Sequence, residues 1–133
     1  MAVRAFVAHF EARFVPAFDG AFLRGSPAQD VLDALAAVQA RMVPASEGPY
    51  ACGRALSMAD MAAVPFVLRA LMALEADIGK YPAGEGRRAF EAFNSDPRYA
   101  RVREYVTAVK AHPTVQATWD EVSGRPHAHT KWS

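Results

Sequence analysis

The stretch Gly53-Arg54-Ala55-Leu56-Ser57-Met58-Ala59-Asp60-Met61 decides the reading of this chain. A helix leaves its first backbone N–H groups without intrahelical partners. With Ser57 as N-cap, its side chain accepts from the Asp60 N–H while the Asp60 carboxylate reaches back to the Ser57 N–H, so both donors are met reciprocally. Leu56 then stands at N′ and Met61 at N4, the spacing of a hydrophobic staple, and the negative Asp60 favours the positive end of the helix dipole. An acid in a setting expected to be buried invites a catalytic role, but capping geometry already accounts for Asp60. No catalytic residue is assigned.

From this cap to about Ala76 the chain is apolar on nearly every side, with Met61, Ala62, Val64, Phe66, Val67, Leu68, Leu71, Met72 and Leu74 interrupted only by Arg69. That is the pattern of a central helix surrounded by others. Pro65 lies well inside and should bend it. Upstream, Val3, Val7, Phe10, Phe14 and Phe18 recur at helical spacing, with Phe6 and Phe22 widening the stripe. Ala2 to about Leu23 therefore reads as one long amphipathic helix, kinked at Pro16. Ser26-Pro27-Ala28-Gln29 is a second capping signal, with Pro27 at N1 and Gln29 at N3, opening a helix whose apolar face is Val31, Leu35, Val38 and Met42. These two helices should pair antiparallel.

Pro44 to Ala55 holds Gly48, Pro49 and Gly53 and reads as a loop anchored by Tyr50. Gly79 to Gly86 is breaker-rich, and Phe90 and Phe93 mark a short helix. Asp96-Pro97 opens another, burying Val102, Tyr105, Val106 and Val109, and His112-Pro113 ends it. A last short helix from Pro113 to about Val122 presents Val115, Trp119 and Val122. There is no internal repeat and no alternating strand pattern. The fold class is all-α, a bundle of five to six helices around a central buried one, over residues 1–124, with 125–133 as a flexible tail.

The capped entry, with Gly-Arg before it and Met-Ala-Ala-Val-Pro-Phe after it, closely resembles the buried-helix entry in the C-terminal helical domain of glutathione transferases. The run from Tyr105 to Trp119 looks like the family's penultimate and final helices. The resemblance implies that the chain starts where the family's second domain starts, without the thioredoxin-like N-terminal domain. In the family that first domain binds glutathione and carries the Ser, Cys or Tyr that stabilises its thiolate, and the helical domain supplies the wall of the electrophile pocket. A thiol with an ordinary pKa of about 8.5 ionises at neutral pH only where its surroundings lower that value, so the resemblance implies little turnover by this chain alone. It implies no cofactor in the chain itself, glutathione as co-substrate, and a thioredoxin-like domain as partner in cis or trans. Helical domains of this kind also assemble complexes in translation-factor and synthetase-associated proteins. A non-catalytic interaction module is therefore the alternative reading.

By family position the first helix borders the active-site cleft. His9 and Arg13 are four residues apart and share a face that includes Phe6. Phe6, His9, Phe10 and Arg13 are thus the candidate substrate-binding residues; the plainer reading makes the phenylalanines core and the polar pair a solvated face. Apolar surface left on this helix should promote homodimerisation or binding of a small hydrophobic ligand. Cys52 has Arg54 as its nearest charge and reads as an inert thiol. His127-x-His129 offers two ligands where a structural zinc site uses four, so no metal is expected. Lys80, Arg87, Arg88, Arg98, Arg101 and Arg103 lack an interleaved aromatic platform and read as a solvated face.

Composition sets the outer bounds. At 133 residues with 52% hydrophobic and 22% charged residues, the chain fits one domain with a proper core. A formal charge of +1 gives no global field toward nucleic acid or an anionic membrane. The single cysteine cannot form an intramolecular disulfide, and a cytoplasmic setting is expected. Arg4, His9, Glu11 and Arg13 interrupt any signal-peptide core, and no uncharged apolar run approaches the roughly 20 residues needed to span a bilayer.

Overall fold

The computed structural model describes residues 2–117. The expected tail and the His127-x-His129 pair, together with Trp119 and Val122, lie outside the described residues. The apolar periodicity of the N-terminal segment becomes α1 (Ala2–Asp19), which runs on without a break as a π-helical turn, Gly20–Arg24. There follow α2 (Gln29–Gln39), α3 (Met58–Glu75), α4 (Glu85–Ser95) and α5 (Ala100–Ala111), with short 3-10 turns at Ala45–Glu47 and Pro97–Tyr99. Residues 113–117 are again helical. Among the described residues there is no strand, only an isolated antiparallel bridge between Tyr50 and Gly53. The fold is all-α.

Helix α3 is central because its sequence is apolar around most of its circumference. Ala59, Ala63, Val67, Leu68, Leu71 and Leu74 are buried along it, and it packs against α1 and α4. On α1 the every-fourth-residue phenylalanines form one ladder: successive ring centroids from Phe6 through Phe10, Phe14 and Phe18 to Phe22 are 6.4, 5.0, 6.3 and 4.9 Å apart. Phe66 of α3 meets this ladder from the side, 6.1 Å from Phe10 and 5.5 Å from Phe18. Such edge-on and offset ring pairs each add about 0.5–1.5 kcal/mol beyond the area they bury. Pro16 and Pro65 both lie inside their helices.

Two helix entries differ from the sequence reading. At α2 the free Ala28 N–H donates to Glu85 Oε1 of α4 at 2.8 Å, so a carboxylate 57 residues away does the work expected of the Ser26 signal. Helix α4 starts at Glu85, inside the breaker-rich segment, because Asp77 accepts from the Gly84 and Gly86 N–H groups at 2.7 and 3.0 Å and so caps its first turn. Gly86 is required there by space: a Cβ would stand 2.6 Å from the Tyr81 hydroxyl and 2.8 Å from Asp77 Oδ1. The α5 entry is as the sequence reads, with Asp96 Oδ1 accepting from the Arg98 N–H at 2.9 Å and Pro97 at the first position of the turn.

Candidate functional site

The site is built outward from the start of α3. The Ser57 N–H donates to Asp60 Oδ2 at 2.9 Å, within a capping box that places Ser57 in extended backbone just before the helix. The Ser57 hydroxyl also lies 3.2 Å from Asp60 Oδ2. Leu56 is half-buried against the core and Met61 is half-exposed one turn into the helix. The other carboxylate oxygen, Oδ1, accepts from the Ala51 N–H at 3.1 Å and from the Tyr105 hydroxyl at 2.8 Å. Asp60 is fully buried, and these donors replace the water its charge gave up. Burial first, and the Asp60 charge second, push the Tyr105 phenol far above its ordinary range and keep it a donor.

The loop entering α3 is held from the far side by Arg101 of α5. Its guanidinium donates to the carbonyls of Val43 (3.0 Å), Gly48 (3.2 Å), Pro49 (3.3 Å) and Tyr50 (3.1 Å). Gly48 permits this fold of the loop: its φ is 141°, and a Cβ would stand 2.2 Å from the Gly53 backbone. Arg103 is spent in the same manner on the carbonyls of Phe93 and Asp96, and Arg98 pairs with Asp96 at 2.9 Å. Of the six basic residues that read as a solvated cluster, Arg101 and Arg103 are therefore structural, while Arg98 stays exposed. Cys52 lies in this loop, its thiol pushed up by partial burial and by the Asp60 charge, so it is a poor thiolate.

The cap and the clamp fix how α3 is rotated, and hence which of its residues face outward. At about 100° per residue, Met58, Met61, Ala62, Pro65, Arg69 and Met72 fall within one arc of about 100°. None of them is buried, and Met58 is 73% exposed. Beside this arc the half-buried Phe66, Phe18 and Phe22 continue the apolar surface toward α1, with the buried Tyr81 ring 6.0 Å from Phe22 beneath it. The surface along α1 and α3 is thus largely apolar, with Arg69 the one charged residue in the α3 arc.

The four candidate residues from the sequence are distributed differently. Phe6 and Phe10 are buried in the ladder, and Phe10 meets Phe66 beneath that surface. His9 stands about 180° and Arg13 about 140° round α1 from Phe18, on the flank away from α3. Arg13 is exposed; His9 is half-buried, and its Nε2 has no hydrogen-bond partner among the described residues. Phe18, Phe22 and Phe66 were visible in the sequence as apolar periodicity but not as a site, because which flank of α1 meets α3 is a tertiary fact. A groove of about 140 Å³ lies between α3, α4 and α5, lined by Leu68, Met72, Phe90 and Val106 among others, with Glu75 and Lys110 in its walls, so Met72 borders both this groove and the outward arc. No group of three or more His, Cys, Asp or Glu among the described residues could hold a metal ion.

Comparison with protein-family models finds no match, and neither does comparison with curated proteins. Solved structures do match. Glutathione transferase Omega 1C from Trametes versicolor is 35% identical and superposes with a TM-score of 0.79 over 92% of this chain and 50% of its own. The chain has the all-α fold of the C-terminal helical domain of glutathione transferases. Omega 2C from the same organism is 37% identical (TM-score 0.74, covering 91% of this chain and 50% of its own). Omega 2S, in complex with 2,4-dihydroxybenzophenone, is 31% identical (TM-score 0.76, covering 91% and 51%). The chain spans about half the length of these relatives. In this domain Asp60 ties the start of α3 to the Ala51 loop and to α5, and Arg101 holds that loop. No helix among the described residues is long and apolar enough to cross a membrane.

Proposed function

We propose that this domain forms the apolar, electrophile-binding side of a glutathione transferase-like site, with glutathione held by a thioredoxin-like domain supplied in cis or in trans. The observation that carries the reading is the uncovered arc of α3. A helix that is apolar all round belongs in an interior, yet here Met58 is 73% exposed and Met61, Ala62 and Pro65 are only half-buried. Aromatic walls at Phe18, Phe22 and Phe66 suit an aromatic ligand, and the Omega 2S relative is seen in complex with one, 2,4-dihydroxybenzophenone. Phe10 supports this wall from below; His9 and Arg13 act at most at the opposite flank.

The chain's own groups hold and orient the electrophile and exclude water from it. Activation of the sulfur falls to the other domain, since the one thiol here is pushed toward its protonated form. Proximity and desolvation of the thiolate would then supply the rate enhancement. One unpaired cysteine and a balanced charge favour a cytoplasmic setting.

The test is conjugation of glutathione to a chlorinated aromatic electrophile, assayed with the chain alone and with a thioredoxin-like domain added. Activity is expected only in the second case. Full turnover by the chain alone overturns the assignment of roles, and no gain on addition favours a non-catalytic interaction module instead.

A further inference from the structure

We infer that His112 is a proton-operated switch at the joint between α5 and the helical turn at residues 113–117: as neutral imidazole it caps that turn, and once protonated it lets the cap go. The inference stands apart from the site proposed above and concerns how firmly the chain is held beyond α5.

The joint sets one residue at two helix ends. His112 closes α5, its backbone N–H donating to the Val109 carbonyl at 3.1 Å. It also opens the next turn. Pro113 has no N–H to give, so the first donor there is Thr114, whose N–H donates to His112 Nδ1 at 3.2 Å, while the Gln116 N–H donates to the His112 carbonyl at 3.0 Å. The same design occurs at Asp96-Pro97-Arg98, where Asp96 Oδ1 accepts from the N–H two residues on at 2.9 Å. Carboxylates, hydroxyls and amides are the usual groups in this place. An imidazole there differs from them in what a proton does to it near neutrality.

An imidazole that accepts at Nδ1 is neutral and carries its hydrogen on Nε2. Protonation makes both ring nitrogens donors, so the bond from the Thr114 N–H is lost and a positive charge is left at the positive end of the turn. The carbonyl end of α5, reached from the same residue, favours a cation instead. A proton therefore draws the ring from one helix end toward the other. Imidazoles ordinarily take it up at about pH 6.5. The ring is half-buried and is faced from the loop before α3 by Tyr50, with ring centroids 5.9 Å apart and planes at 73°. Arg101 holds the Tyr50 carbonyl behind that ring, and Lys110 stands two residues earlier on α5. What the cap secures is Val115, whose side chain is in the core at 2% exposure. The seating of that residue is the property the switch controls.

The test is amide hydrogen exchange by NMR on the whole chain between about pH 5.5 and 7.5, each rate divided by that of an unstructured chain at the same pH. Protection at Gln116 should fall about threefold to tenfold as the pH drops through about 6.5, with the amides of α3 unchanged. His112→Asn keeps a side-chain acceptor that takes up no proton, and its protection should stay high and level across the range. His112→Ala should be level and low. A level profile in the parent chain overturns the switch, and so does a profile in His112→Asn that falls like the parent's, since another group would then be the source. A parallel fall in the α3 amides makes the loss global and overturns it as well.

Discussion

The hydroxyl of Tyr105 donates to Asp60 Oδ1 at 2.8 Å, joining α5 to the first turn of α3 across 45 residues of sequence. Asp60 thereby serves two purposes: it closes the local capping box, and it is the acceptor on which the loop at Ala51 and helix α5 converge. The carboxylate is buried with hydrogen-bond donors around it and no ion pair to a cation among the described residues, so its partners are strongly interdependent.

Removing that acceptor should be the most damaging polar change in the domain. Asp60→Ala leaves the Ser57 and Ala51 N–H groups and the Tyr105 hydroxyl unpaired, and should cost about 3–5 kcal/mol. Tyr105→Phe should cost about 1.5–3 kcal/mol, the range of a hydrogen bond to a charged group, and Ser57→Ala about 1 kcal/mol. Urea unfolding measures all three. An Asp60→Ala variant within about 1 kcal/mol of the parent would contradict the assignment.

Gly86→Ala sets two effects of opposite sign against each other. Helix propensity alone favours alanine by about 0.8–1 kcal/mol. The added Cβ, however, would sit 2.6 Å from the Tyr81 hydroxyl and 2.8 Å from Asp77 Oδ1, both held in place by hydrogen bonds. Overpacking of this kind costs about 1–3 kcal/mol. The net change in the urea midpoint should be destabilising, and a stabilised variant would show that the Asp77 cap can shift freely.

Arg101 should govern the order of the α2–α3 loop. Arg101→Ala frees the carbonyls of Val43, Gly48, Pro49 and Tyr50, so hydrogen exchange should quicken over residues 43–53 with little change in α1. Lysine carries the charge but not the planar fork, and Arg101→Lys should restore only part of the protection. Equal exchange in all three proteins would remove the clamp.

Stability should decline in alkali along a defined window. Burial, with the Asp77 and Glu85 charges behind it, pushes the Tyr81 phenol up from 10.0 to about 12. The folded state therefore holds this proton more tightly than the unfolded chain. The resulting stabilisation is complete below pH 10.0 and is lost as pH rises toward about 12. Tyr105 acts in the same direction. Tyr81→Phe should flatten part of the decline in urea midpoint over this window, and a parallel decline in variant and parent would exclude Tyr81 as its source.

Cys52 should react slowly with a disulfide reagent at neutral pH. Partial burial and the nearby Asp60 carboxylate both disfavour its thiolate. The rate should rise in Asp60→Ala, after correction for any unfolding. A parent rate equal to that of an unstructured cysteine peptide would refute the placement.

Much of the architecture could be read from local rules. The every-fourth-residue phenylalanines give α1, the Ser57–Asp60 spacing gives the start of α3, and Asp96-Pro97 opens the turn before α5. Each of these depends on backbone donors and side chains within a turn or two of one another. The α2 and α4 entries were harder to read, because their caps come from Glu85 and Asp77, residues that lie outside the turn they serve.

The candidate site was the least legible part. Helical spacing places His9, Arg13 and Phe6 together on one face of α1, but spacing says nothing about which flank α3 will cover, and Phe66 docks on the side of Phe10 and Phe18. The arginines of α5 likewise read as solvated charge until the loop carbonyls that take up Arg101 are seen beside it. The sequence by itself determined which segments coil, where most of them begin, and that one is apolar nearly all round, since periodicity and capping are short-range. Only the tertiary structure decided that Asp60 also receives Tyr105 and that Arg101 is taken up by the loop carbonyls, because burial and pairing depend on groups brought together from distant parts of the chain.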